Sequence, residues 1–205
     1  LWSGSLAVGG ILDFDSKNLD LLLNKHGISN TWRGLLATHI SGNSKFRYVL
    51  ESEEFKGAKI FPHDLLQDLT IGEIGVLYEY SVTKVNSDSR KSNGQFFTPD
   101  DVAMFMAAFS RKFPLGKWLD PCSGIGNLSW HLVAIQDDPE KFLAERLVLS
   151  DKDKLSLLIA RTLLTISFQR THKKLFHEIA DNFVEFEFEI EDKHYDLYFW
   201  GIKNH

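Results

Sequence analysis

KWLDPCSGIGNLSWHLVAIQ (117–136) and, after a short gap, RLVLSDKDKLSLLIARTLLTISF (146–168) decide the fold. The first stretch holds a short apolar strand candidate, GKWLD (116–120), then a glycine-bearing turn that leads into a helix. The second repeats the scheme: RLVLSD (146–151) is an apolar strand with an acidic end, and a helix follows it. Strand, glycine turn, helix, strand, acid and helix in that order are the pattern of a βαβ unit in a parallel sheet. The expected fold class is therefore α/β.

Downstream, NFVEFEFEIE (182–191) alternates strictly, with Val184, Phe186, Phe188 and Ile190 on one side and Glu185, Glu187, Glu189 and Glu191 on the other. It reads as a strand with one wet face. HYDLYFW (194–200) is a further strand candidate, apolar enough for a more central place. Upstream, FFTPDDVAMFMAAFSRKF (96–113) sets Pro99 at a helix start, with Asp100 and Asp101 in the first turn, where they favour the helix dipole. Val102, Phe105, Met106 and Phe109 follow at helical spacing as its expected apolar stripe.

VNSDSRKSNGQ (85–95) has no apolar period and marks a loop; its Arg90 and Lys91 read first as a solvated linker, with phosphate or substrate contact as the alternative. Before it the chain looks helical. SKNLDLLLNKHG (16–27) offers Ser16 as N-cap and Gly27 as stop, and TWRGLLATHI (31–40) and HDLLQDLTIGEIGVLYEYSVTKV (63–85) repeat the pattern. The expected division is a helical N-terminal region over 1–85 and an α/β domain over 86–205.

The 205 residues are 43% hydrophobic and 25% charged, which excludes a disordered or collagen-like chain and predicts a packed core. Against 28 Asp and Glu stand 23 Lys and Arg, a net charge of −5. That is the wrong sign for a domain whose affinity rests on neutralising phosphates, so any DNA contact is expected to be local or supplied by another chain. The single Cys122 allows no internal disulfide, which predicts a reducing, cytoplasmic location. No run reaches the roughly 18 apolar residues of a membrane span, and no basic leader precedes Asp13. The start at Leu1 reads as a fragment or a processed chain. His172, His177, His194 and His205 are scattered, which argues against a metal site, and THKKLFH (171–177) reads as a solvated helix end.

The chemistry concentrates at Asp120 to Asn127. Glycines between a strand and a helix let the backbone approach a ligand, and the helix start offers unpaired N–H groups. Asp151, ending the next strand, is placed to accept hydrogen bonds from the two hydroxyls of a ribose, as in both NAD and S-adenosylmethionine enzymes. A dinucleotide fingerprint requires G-x-G-x-x-G/A, whereas GIGNLS ends in Ser129, and Asp120 at the strand tip would repel a pyrophosphate. A carboxylate there suits a ligand carrying an ammonium group, as S-adenosylmethionine does. Cys122 would need a neighbouring base to act as a nucleophile, and none is suggested.

GQFFTPDDVAMFM (94–106), LDPCSGIGNLSWHL (119–132) and LSDKD (149–153) together resemble the amino-group DNA methyltransferases that modify adenine N6. The likeness is greatest to the modification subunits of type I restriction-modification systems and their fused relatives, and covers roughly residues 70–200. It implies a Rossmann-like S-adenosylmethionine-dependent methyltransferase sheet, incomplete in this chain, with a helical N-terminal extension. It implies further that Gln95, Phe96, Phe97, Thr98 and Pro99, with Asp120, Cys122, Gly124, Gly126 and Asn127, line the cofactor and that Asp151 holds its ribose. By weaker analogy Asp181 and Phe183 meet the amino edge and face of its adenine.

The family's Asn/Asp-Pro-Pro-Tyr/Phe motif should follow the strand YDLYFW, where GIKNH stands instead, so no catalytic residue is assigned. Either the chain stops short of that motif or it is a non-catalytic scaffold or regulatory module of the same fold. A sheet of about four strands leaves an open edge, so other subunits or a homo-oligomer are expected to complete it. DNA is the expected substrate, within a bacterial defence system.

Overall fold

The structure is a computed structural model and describes residues 16–85, 98–113, 116–171 and 174–186. The chain divides into two compact units, Leu1–Phe97 and Thr98–His205.

In the first unit, helix α1 (Ser16–Ser41) is interrupted at Gly27, whose φ of 72° only glycine adopts without strain. The expected stop is thus a kink, and TWRGLLATHI continues the helix beyond it. Across the kink the Thr31 hydroxyl donates to Leu22 O at 2.9 Å. A short helix α2 (Arg47–Leu50) and turns lead to α3 (Ile71–Val85). Residues 63–69 are turns rather than helix, because α3 starts at a capping box: Glu73 N donates to Thr70 Oγ1 and Thr70 N to Glu73 Oε2. Trp32 is fully buried and meets Tyr78 edge-on, while Tyr80 Oη donates to Asp20 Oδ1 at 2.8 Å, so α3 is fastened to α1 by both packing and polarity.

The second unit opens with α4 (Asp100–Phe109) and continues as β1 (Trp118–Asp120), α5 (Asn127–Ala134), α6 (Pro139–Glu145), β2 (Leu147–Asp151), α7 (Lys154–Phe168), α8 (Leu175–Glu178) and β3 (Phe183–Glu185). The three strands lie in the order β1-β2-β3, all parallel, with Asp120 opposite Leu149 and Asp151 opposite Glu185. Parallel pairing fits the helical crossovers between successive strands. One sheet face, carrying Trp118, Leu147, Leu149 and Phe183, packs on Leu132 and Val133 of α5, Phe142 and Leu143 of α6, and Leu157, Leu164 and Phe168 of α7.

Three expectations change. On α4 the buried residues are Ala103 and Ala107, against α5, while Val102, Phe105 and Phe109 are exposed. Small residues four apart let two helices approach closely, and that decides the face. On β3 Phe183 packs on the core, whereas Val184 and Phe186 are exposed at 41% and 50%, so the apolar face expected from the alternation is not the one covered. In THKKLFH, Leu175 and Phe176 are fully buried and the Arg161 guanidinium stacks 3.8 Å from the Phe176 ring centre, so that helix is anchored in the core. Residues 187–191 of the alternating stretch and 194–200 lie outside the described residues.

Helix α6 was not singled out by apolar periodicity, yet it carries a clear start, with Pro139 in its first turn and Asp138 accepting from Lys141 N. Its Glu140, 8% exposed, accepts from Arg170 N, Thr171 N and Thr171 Oγ1, closing the turn after α7. Removing that carboxylate strands two backbone N–H groups. We expect Glu140→Ala to cost about 2–3 kcal/mol in chemical denaturation; a loss under about 0.5 kcal/mol would refute the role.

Candidate functional site

Parallel strands bring their carboxyl ends to one edge, and there the chain turns from β1 into α5 through residues 121–126. Gly124 and Gly126 have φ of 52° and 82°. At Gly126 an added Cβ would also lie 3.2 Å from Ala160 Cβ and 3.4 Å from Leu149 Cδ2, so the turn sits directly on β2 and α7. Asp151 holds it there. Its Oδ2 accepts from Gly124 N at 2.8 Å and its Oδ1 from Asp153 N at 2.9 Å, while Ser123 N donates to Ser150 O at 3.0 Å.

Asp120 lies under the turn. Its carboxylate is on the covered face of the sheet, the residue is 6% exposed, and Oδ2 accepts from the buried Ser129 hydroxyl at 2.6 Å. Burial pushes its pKa up to about 6; the Ser129 hydrogen bond opposes the rise, the Asp151 charge adds to it, and the Cys122 backbone N–H opposes it. Cys122 itself is exposed on the turn. Partial desolvation of its sulfur, then the Asp151 and Asp120 charges, raise its pKa, which disfavours the thiolate a nucleophile needs.

Asn127 begins α5 and is 3% exposed. Its Nδ2 donates to Thr98 O at 2.6 Å, and its Oδ1 is buried with no hydrogen-bond partner. Thr98 and Pro99 therefore stand beside the glycine turn although 27 residues separate Thr98 from Gly126 in between. His131 Nε2, 3.0 Å from Asp100 Oδ1, makes a second tie between α4 and α5.

Of the residues the sequence singled out, Thr98, Pro99, Asp120, Cys122, Gly124, Gly126, Asn127 and Asp151 gather around this turn. Gln95, Phe96 and Phe97 lie outside the described residues. Asp181 and Phe183 lie in the turn before β3 and on β3 itself, on the far side of β2 from the glycine turn. Register sets Phe183 beside Leu149, and so level with Asp120 at the tip of β1, its partly buried ring packed against the core, and Asp181 precedes it in the turn before β3.

The residues that stand beside Asp151 on β3 are Glu185, by register, and Phe186, whose N–H donates to Asp151 O at 3.0 Å. Counting two residues along the strand from Phe183 gives Glu185. Ser129 was read only as a departure from a dinucleotide fingerprint. Its place in the first turn of α5, where side chains lean back toward the helix start, is the signal that points it at the strand tip.

A family model, N-6 DNA Methylase, matches residues 70–192. Comparison with curated proteins and with solved structures finds no match to either. Among the described residues no helix is long and apolar enough to cross a membrane.

The Asp120 assignment predicts a pH dependence. A carboxyl whose folded pKa exceeds its unfolded value binds its proton more tightly in the folded chain, so it favours folding below the unfolded value of 3.8, and that advantage is lost as pH rises to about 6. Asp120→Asn cannot ionise. Its melting temperature should rise relative to the parent between pH of about 4 and about 7, most of the gain arriving by about 6; a difference constant across that range would overturn the assignment.

Proposed function

The chain belongs to the N-6 DNA methylase family, and from that membership we propose that it forms the S-adenosylmethionine-binding part of an adenine-specific DNA methyltransferase in a restriction-modification or similar defence system. The observation that carries this reading is the glycine turn at the carboxyl edge of a parallel sheet, pinned by the Asp151 carboxylate. Open parallel sheets take their ligands outside the carboxyl ends of the strands, and the Rossmann-like arrangement is the form of that rule proposed here.

The residues present fit a cationic, phosphate-free cofactor. Two carboxylates, Asp120 and Asp151, bear on the turn, with no arginine or lysine hydrogen-bonded to either among the described residues. Such a turn lowers the energy of a sulfonium or ammonium and repels a pyrophosphate. The buried Asn127 Oδ1, without a partner, is an acceptor that a ligand ammonium or hydroxyl would satisfy. Asp151 keeps a second lone pair on each oxygen beyond its two backbone bonds, which is what a ribose diol needs. Thr98 and Pro99 border the cofactor from α4, Cys122 lines the mouth, and Gly124 and Gly126 allow the backbone to approach.

Bound S-adenosylmethionine supplies a methyl group on a sulfonium centre, activated for transfer to an exocyclic nitrogen. This chain's part is to bind and orient that donor and to shield its charge. DNA, as the substrate of the family, reaches the site through other subunits or other parts of the protein, because the net charge of −5 gives these residues little hold on phosphates. Asp181 and Phe183 are proposed to meet the cofactor's adenine, with Glu185 and Phe186, which stand beside Asp151, as further candidates.

Calorimetric titration with S-adenosylmethionine and, separately, NAD tests the reading. The expected result is binding of S-adenosylmethionine alone, weakened at least a hundredfold in Asp151→Ala, about 2.7 kcal/mol. NAD binding, or undiminished S-adenosylmethionine binding in the variant, would sink it. Donor binding with no methyl transfer to DNA by the whole protein would instead favour the scaffold alternative.

A further inference from the structure

We propose that Ser129 is a positioning residue for the methyl-donor site, acting through the Asp120 carboxylate on which the turn of residues 121–126 rests. The inference builds on the donor-site reading above.

Hydroxyl side chains inside helices of this chain mostly bond their own backbone. Thr38 donates to Gly34 O, Ser81 to Leu77 O and Thr162 to Leu158 O, each four residues back. Ser129 does not. Its hydroxyl, in a residue with no exposure, spends its hydrogen on Asp120 Oδ2 at 2.6 Å. Packing alone gives no reason for an oxygen there, since alanine is the better helix former and the α5 residues that follow, Leu132 and Val133, belong to the apolar core. The hydroxyl serves the carboxylate.

The carboxylate in turn serves the turn. Asp120 ends β1, and the Cys122 backbone N–H bonds back to it, so an ionised Asp120 holds the first peptides of the turn in place. Protonation removes acceptor capacity and the negative potential beneath a site read as binding a cation. The titratable neighbours are few. Asp151 faces Asp120 from the end of β2 and disfavours its ionisation; Cys122 lies in the turn, with Lys152 near its sulfur. From α5 the group presented is Ser129, His131 being paired with Asp100 of α4. From α7 the side chains nearest Gly126 are the apolar Ala160 and Leu164. Ser129 and one backbone N–H are thus what holds Asp120 in its charged form against burial and a like charge.

Removing the hydroxyl should move Asp120 further toward its neutral form, and the acid limb of donor binding should move up in pH with it. The test is calorimetric titration of S-adenosylmethionine into the full-length protein between pH of about 5 and about 9, for the parent, Ser129→Ala, Asp120→Asn and the double variant. The donor's own amino group titrates alike in every arm, so differences between arms isolate the protein group. We expect Ser129→Ala to bind about tenfold more weakly than the parent near pH 6.5 and within about twofold of it near pH 8.5. In the Asp120→Asn background, Ser129→Ala should change the affinity less than twofold at every pH of that range.

A Ser129→Ala loss of the same factor at all pH values would mark a packing role and overturn the inference, as would an equal loss in the Asp120→Asn background. A parent that binds S-adenosylmethionine while the limb of Ser129→Ala stays in place overturns this inference alone. A parent that binds no S-adenosylmethionine at any pH overturns the donor-site reading and this inference with it.

Discussion

The hydrogen bond from Gly124 N to Asp151 Oδ2 joins the turn after β1 to the end of β2. It can form only if β1 and β2 are parallel and in the register that sets Asp120 beside Leu149, so that Asp151 reaches one pleat beyond the tip of β1. That register in turn follows from burying Trp118, Leu147 and Leu149 on one face, since a slip of β2 by one residue would turn Leu147 and Leu149 outward. Gly126, where a side chain would press on Ala160 and Leu149 at a φ of 82°, lets α5 begin close enough to the sheet for its core residues to engage. Site and core are therefore one construction, and damage to either reaches the other.

Two carboxylates close to one turn repel each other, and one of them is almost wholly buried. A domain selected for stability alone would place an amide or an apolar side chain at Asp120, because the charged form must be held there by two hydrogen bonds against the loss of water. Such local cost concentrates at functional sites. The charge has a use if a cation is to lie above it, since attraction is stronger where water is excluded and the groups are fixed before the ligand arrives.

Much of the second unit was legible in the sequence because its signals are local and strong. Both strands carry apolar residues ended by an acid, and the turn carries the glycines that its positive φ values require. What escaped depended on contacts rather than periodicity. On α4 the large apolar residues suggested the core face, but the close approach to α5 is set by Ala103 and Ala107, which a hydrophobicity pattern undervalues. On β3 an alternating pattern fixes that one side is apolar, not which neighbours cover it, and Phe183 won the core position by standing beside Leu149. The start of α3 was placed too early because Leu65, Leu66 and Leu69 continue an apolar period through a segment that the Thr70 and Glu73 capping box excludes from the helix. At the site, Thr98, Asp120, Gly124, Asn127 and Asp151, all named by motif, stand around one turn, whereas Ser129 and Phe186 became visible only through a bond to another element.

A site built from acids has a consequence for the substrate of this family. DNA approaches as a polyanion, and if the turn bearing Asp120 and Asp151 holds a sulfonium donor as proposed, the same charges repel phosphates. The base must therefore be presented at the end of an extruded nucleotide, with its backbone kept at a distance from the turn and held by positive charge elsewhere. Lys152 and Lys154 follow Asp151 directly, Lys152 near the Cys122 sulfur and Lys154 paired with Glu185 at 2.9 Å. On the proposed reading, phosphate contact falls to other surfaces, and a chain of a DNA-modifying family can then be acidic overall.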